Sequence, residues 1–442
     1  MVNILIRYLG IKTKLLEPIK TTIQGVTPNG ATVLDLFAGS STVGQYLMND
    51  FRVYANDCQK YSFIAAKTLI EYHSKKVIDS ISKEKLYGDY YRKNFNRLSE
   101  IFASPLSCEK HLLTNIGDLY YGEAFDAFTE FFNNSPYYGH TSNVHASFDS
   151  CIKAFSTNNI KEYKENPSKF PFMLFCTYYS NPYFSLHQCV EIDSLMYSIR
   201  SLLSTNEITE EEYNIYLSFI IYALNLTVIS VGDHFAQPQK IKPVSLTLDA
   251  PRDSINIRER KKIIFKKRTS VESLVTEKID DYKSNYTRGD KKNKAFCLDF
   301  HKVLEDLSPS EVTTVYIDPP YTNAHYSRFY HIPETLVLYD YPEIEFFGRY
   351  RSDRYQSGFC IKSEAFSEFE DMISLCKSKG LNAVISYSDT TQCILKIGEI
   401  TAICKKYYGN KIDIKNIAHM YRNFGQKPNR VLAKEYLITC KQ

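Results

Sequence analysis

Apolar residues in this chain fall into short runs that end on an acid and give way to small polar residues. Ala31-Thr-Val-Leu-Asp35 is the first such run, and the small-residue loop behind it marks a buried strand feeding a turn. Arg52-Val-Tyr-Ala-Asn56-Asp57 repeats the plan. From Ser62 to Tyr72 the spacing becomes helical, with Ile64, Ala65, Leu69 and Ile70 on one face. Strand and helix in alternation predict a parallel α/β sheet. The rhythm then breaks, and the next long patterns, Phe184 to Leu203 and Glu210 to Val231, read as helices. It resumes with Ala295 to Phe300, Thr313 to Asp318 and Asn382 to Tyr387 as strands, an amphipathic helix over Ala365 to Lys379, and two late strands, Lys411 to Ile417 and Glu435 to Thr439. The expectation is an α/β domain built from 1–75 and 293–442, with a large, mainly helical insertion over 76–292.

A chain of 442 residues, 44% hydrophobic and 24% charged, is long enough for such a two-part organisation. Eleven cysteines without any CxxC spacing indicate neither a disulfide framework nor a metal site, which points to a reducing cytoplasm. No apolar core with a small-residue cleavage site follows Met1, so no secretory signal is expected. Tyr213 to Val231 carries no charge, but Asn214, Ser218, Asn225, Thr227 and Ser230 interrupt it, so a buried helix is expected rather than a membrane span. The net charge of +4 hides local asymmetry: Arg258, Arg260, Lys261, Lys262, Lys266, Lys267 and Arg268 crowd into one short run with a single glutamate.

Three motifs carry chemistry. Asp35-Leu-Phe37-Ala38-Gly39-Ser40 runs from a strand end into a loop where a missing side chain lets a ligand approach the backbone; a tight turn with no ligand is the alternative for this motif alone. About twenty residues on, Asp57 ends the second strand, where an acid commonly accepts ribose hydroxyls, though a solvated acid fits equally when taken singly. A dinucleotide site, and with it an NAD-dependent oxidoreductase, would call for G-x-G-x-x-G, whereas only Gly39 and Gly44 stand here. The third motif is Asp318-Pro319-Pro320-Tyr321, directly after an apolar run. Two prolines stop the strand and fix where the Asp318 carboxylate and the Pro319 carbonyl point. Rigid acceptors of this kind can orient a planar exocyclic amine, and Tyr321 offers a face on which its ring can stack.

In their order these motifs resemble the D12-class, or alpha-group, Dam-like DNA adenine-N6 methyltransferases. Arg7-Tyr8-Leu9-Gly10-Ile11-Lys12 is similar to that family's N-terminal motif, and Asp299-Phe300 falls where the family has an acid-aromatic pair beside the cofactor adenine. The resemblance implies a Rossmann-like sheet that binds S-adenosylmethionine through Tyr8, Gly10, Lys12, Asp35, Phe37, Ala38, Gly39, Ser40, Asp57, Asp299 and Phe300. It further implies catalysis by Asp318, Pro319, Pro320 and Tyr321, no metal, and an adenine flipped from double-stranded DNA.

The insertion then reads as a target-recognition region, in which the 258–268 run would touch phosphates; a solvated basic helix is the alternative. His325, Tyr326 and Arg328, just past the tetrapeptide, and Arg430, in a basic stretch with Arg422 and Lys427, are further candidates for DNA contact, simple packing being the alternative for those in the loop. A monomer on DNA is expected, with a cognate restriction endonuclease as a possible partner. Competing readings keep the cofactor and change the acceptor to cytosine N4 or RNA adenine, or keep DNA binding and lose catalysis.

Overall fold

A computed structural model of the chain describes residues 3–116, 122–134, 157–241, 250–286, 290–308, 310–345, 350–422 and 430–442, the side chains of 134, 157–159, 250–256, 418–422 and 430–433 excepted. The chain divides into two compact units. One takes Met1–His73, Thr287–Phe329 and Tyr355–Gln442; the other takes Ser74–Tyr286 and Tyr330–Arg354.

The first unit is built on a seven-stranded sheet. Its strands are β1 (Thr32–Asp35), β2 (Arg52–Asn56), β3 (Lys294–Phe296), β4 (Thr314–Ile317), β7 (Asn382–Asp389), β8 (Ile412–Arg422) and β9 (Arg430–Cys440), in the order β3-β2-β1-β4-β7-β9-β8. The strands from β3 to β7 run parallel, and β9 and β8 close the edge antiparallel. This is the α/β fold expected from the alternating pattern. Parallel strands sit between two covering layers, and successive residues point to opposite ones. Thus Val315 and Ile317 join a core with Phe369, Met372 and Ile400, while Tyr316 between them joins the opposite core with Ile19, Leu47 and Ile70. The strand expected over Ala295 to Phe300 is shorter, because the Asp299 side chain accepts a hydrogen bond from the His301 amide and caps a helix that begins at Phe300. The strand order places the ends of β1, β2 and β4 side by side, which gathers the residues that follow them.

The second unit is mainly helical. Its longest described helices are Leu186–Ser204, Glu210–Thr227 and Ala250–Arg268, and a two-stranded ribbon of β5 (Ile344–Glu345) and β6 (Tyr350–Arg351) accompanies them. The segment 330–354, which the sequence pattern grouped with the α/β part, packs here. Tyr339 donates to Asp193 at 2.6 Å, and the same carboxylate accepts the amides of Phe175 and Cys176. Buried acids elsewhere in the unit likewise serve helix starts. Glu109 accepts from the Leu186 and His187 amides, and Glu191 from Val271 and the Ser270 hydroxyl. The charge-free stretch forms a helix buried on nearly every side, with Ile215, Leu217, Phe219, Ile220 and Leu224 inaccessible. Among the described residues no helix is long and apolar enough to cross a membrane.

Candidate active site

The residues following β1, β2 and β4 line one cavity in the first unit, together with the 8–12 segment, Leu298, Phe300 and Tyr355. Its space is about 1000 Å³ counted with its mouth. The loop after β1 turns at Gly39, whose φ of +51° favours glycine, and a Cβ there would lie 2.8 Å from the Tyr8 ring. The Gly39 amide donates to Asp57 Oδ2 at 2.9 Å, and the Gln59 amide donates to Asp57 Oδ1 at 2.9 Å. Asn56 ties the strand ends together, donating to the carbonyls of Leu36 and Leu298 and accepting from the Leu298 amide.

Acids dominate the cavity. Asp35 is 1% exposed and its Oδ1 has no hydrogen-bond partner among the described residues. Burial, reinforced by Asp318 and Asp57, pushes its carboxyl up to about 8. Burial also raises Asp57 to about 6, against the two amides it accepts. Asp318 lies just past β4 and stands at about 6, raised by burial and by Glu435 and pulled back by Lys12. Lys12 lies 2.7 Å from Glu435 Oε1 and 3.1 Å from Asp318 Oδ1, with its ammonium 5.8 Å from the centre of the Tyr321 ring. Burial works against its charge, yet the two carboxylates outweigh that and hold its pKa well above the ordinary value.

Most of the residues singled out in the sequence meet here. Tyr8, Gly10, Lys12, Asp35, Phe37, Ala38, Gly39, Ser40, Asp57, Phe300, Asp318, Pro320 and Tyr321 line the cavity, while Pro319 is buried and is not part of the lining. Asp299 is not in the lining either; it takes the Tyr355 hydroxyl at 3.0 Å, and Tyr355 is. His325 and Tyr326, expected to contact DNA, stand in the cavity wall, where Tyr326 stacks on Tyr8 with ring centroids 5.2 Å apart and donates to the Leu9 carbonyl. Arg328 is half-buried and lies outside the lining.

The 258–268 run is not the uniform basic surface expected. Arg260, Lys266 and Lys267 are buried because they lie on the inward side of their helix with Ile263 and Ile264. Lys267 donates to the Asn181 carbonyl, Lys266 to the Val228 carbonyl and Asp233, and Lys262 also pairs with Asp233. Arg258, Lys261 and Arg268 remain exposed, Arg268 donating to the Leu113 carbonyl. The side chains of Arg422 and Arg430, and all of Lys427, lie outside the described residues.

Glu435, Asn56, Tyr316 and Tyr355 were missed in the sequence. Glu435 alone left a signal, an acid two residues from Leu437 on one side of a strand that is otherwise buried there.

Chemically, the cavity suits a ligand that is cationic and carries hydroxyls. Its lining holds the three carboxylates of Asp35, Asp57 and Asp318 and the ammonium of Lys12. The same charges would repel the pyrophosphate of a dinucleotide. No group of three or more acids, histidines or cysteines among the described residues is arranged to hold a metal ion.

Comparison with known proteins agrees with the site. The model of a family described as D12 class N6 adenine-specific DNA methyltransferase matches residues 8–181 and 257–397. The chain is 24% identical over 408 residues to the modification methylase LlaI of Lactococcus lactis subsp. lactis, covering 91% of this chain and 49% of that protein. It is 26% identical over 409 residues to the type II methyltransferase M.FokI of Planomicrobium okeanokoites, covering 91% and 47%. With the modification methylase StsI of Streptococcus sanguinis the identity is 23% over 425 residues, covering 95% and 49%. The chain thus spans about half the length of the curated relatives it matches.

Proposed function

The chain belongs to the D12 class of N6 adenine-specific DNA methyltransferases, and from that premise we propose that its acid-lined cavity binds S-adenosylmethionine and that Asp318 presents the N6 amine of an adenine in double-stranded DNA for methylation. The observation that carries the reading is the meeting of Asp35, Asp57 and Asp318 in one cavity.

When bound, S-adenosylmethionine supplies an electrophilic methyl group on a sulfonium. Asp35 would hold the cofactor's cationic end and Asp57 its ribose hydroxyls, and Phe37 and Phe300, packed on each other with ring centroids 6.2 Å apart, would give its purine an apolar wall. Tyr8, backed by Tyr326, covers the loop at Gly39. Asp318 accepts a hydrogen bond from the amine, turning its lone pair out of conjugation with the ring. Tyr321 stacks on the extruded base, offsetting part of the stacking lost in the duplex. Transfer of the methyl group from the sulfonium to the amine would leave the nitrogen one proton to shed. Asp318, with its carboxyl at about 6, holds that proton and passes it to solvent near neutral pH. We place the protein in the cytoplasm as a monomer on DNA. The relatives' names support a protective role beside a restriction endonuclease.

Asp318→Ala is the direct test. Nucleoside mass spectrometry of DNA and RNA treated with cofactor and protein should show N6-methyladenine in DNA alone. The variant should lower its rate by roughly a hundredfold or more while calorimetry shows S-adenosylmethionine still bound. N4-methylcytosine, methylated RNA, or an active folded Asp318→Ala would overturn the assignment.

A further inference from the structure

Glu435 lies on β9, paired in register with Ser388 of β7, and is 2% exposed. An acid so deep in a sheet needs partners, and it has three. Ser386 Oγ donates to its Oε1 at 2.6 Å, Ser388 Oγ donates to Oε2, and Lys12 Nζ donates to Oε1 at 2.7 Å. Burial alone would push its pKa up, but the ammonium and the hydroxyls hold it below the ordinary value, so it is an anion.

The consequence lies in how Lys12 divides itself. It donates to Glu435 Oε1 at 2.7 Å and pairs with the buried Asp318 Oδ1 at 3.1 Å. Asp318 is therefore balanced on its buried oxygen, while the rest of its carboxylate stays in the cavity lining. An ammonium bonded fully to Asp318 would compete with the substrate amine for it.

We propose that Glu435 is a positioning residue for methyl transfer: it anchors the Lys12 ammonium so that this cation balances Asp318 without occupying the oxygen that must accept the substrate amine. The proposal rests on the reading of Asp318 as that acceptor. The charged or titratable groups facing Asp318 are Lys12, Glu435, Tyr316 and Asp35, and Tyr321 faces Lys12. Of these, Glu435 raises Asp318 and Lys12 lowers it. Removing the Glu435 charge thus acts twice in one direction. A repelling anion disappears, and the freed ammonium turns to Asp318.

The test is single-turnover methylation of unmethylated genomic DNA by the full chain with tritiated S-adenosylmethionine from pH 5 to 9, with cofactor binding and thermal melting measured alongside. Glu435→Gln is expected to lower the plateau rate by about tenfold and to move the acid limb about one pH unit lower, with the cofactor Kd changed by less than about threefold. Ser386→Ala combined with Ser388→Ala keeps the Glu435 charge but loosens it, and should give a smaller shift of the same sign. If Glu435→Gln fails to fold, the serine pair carries the test, and an unmoved limb there overturns the proposal. A slower Glu435→Gln with a lower melting temperature and an unmoved limb makes the residue merely structural, and wild-type behaviour overturns the proposal outright. Failure of the underlying reading is separate, because it appears as an active Asp318→Ala.

Discussion

Replacing Asp35 by Asn should abolish a proton linkage in cofactor binding. With its carboxyl at about 8, Asp35 is about nine-tenths protonated at pH 7. A cationic ligand seated against it stabilises the carboxylate and lowers that pKa, so binding near neutrality expels a proton. The sign follows directly: affinity rises with pH until the free carboxyl is already ionised. The cost of deprotonation is about 1.4 kcal/mol for each pH unit below the free pKa. Between pH 9 and pH 7 this term weakens binding about tenfold, and it is almost flat above pH 9. Asp35→Asn removes the charge with little change of shape. It forfeits a charge-assisted contact of about 1.5–3 kcal/mol, so at pH 9 it should bind about ten- to a hundredfold more weakly than wild type. Toward pH 6 the two proteins should converge, because the wild-type carboxyl is then neutral as well. The assay is calorimetric titration of S-adenosylmethionine in buffers of different ionisation enthalpy, which counts the protons released. Taking the difference between wild type and variant cancels the titration of the ligand and of Asp57. Parallel pH profiles, or equal proton release by the two proteins, would refute the argument that Asp35 is neutral before the ligand arrives.

Two further substitutions probe the geometry. Gly39→Ala forces a side chain into a left-handed turn and against the Tyr8 ring 2.8 Å away; chemical denaturation should show a loss of about 1–2 kcal/mol, and calorimetry a cofactor Kd weakened by about tenfold or more. In the helical unit, Asp193→Ala strands two buried amides and the Tyr339 hydroxyl. It should cost about 3 kcal/mol or more in the same denaturation measurement, and an unchanged midpoint would show that water replaces the carboxylate there.

Much of the cavity lining was legible in the sequence because three of the parallel strands, β1, β2 and β4, lead directly into an acid that lines it. An apolar run that stops at Asp35, Asp57 or Asp318 reports strand and site together. What was illegible depends on packing between distant segments. The cations of 258–268 look equivalent as composition, but Arg260 and Lys267 share a helical side with the buried Ile263 and Ile264, so their charges are used inside the unit. Ile263 and Ile264 did mark that side, and the two cations sit three or four positions from them. Tyr326 follows Asp318-Pro319-Pro320-Tyr321 in the chain, where either DNA contact or simple packing was open, and the partner that sets its place, Tyr8, lies far away. The segment 330–354 lies in the chain between strands of the α/β part, so the sequence pattern grouped it there. Its place comes from single bonds such as Tyr339 to Asp193, and from the His331 ring nitrogen 2.8 Å from the Phe235 carbonyl.

The bond between Lys12 and Glu435 spans 423 positions of the chain. A ribosome adding about 5–20 residues per second would need on the order of 20–85 s to bridge that interval. Until β4 has emerged the chain lacks Asp318, and until β9 follows, the Lys12 ammonium beside Asp318 has no Glu435 to anchor it. If Asp318 accepts the substrate amine as proposed, a chain cut short before β9 carries the cavity's acids but not the carboxylate that holds Lys12, so the site is completed by the strand made after all the others.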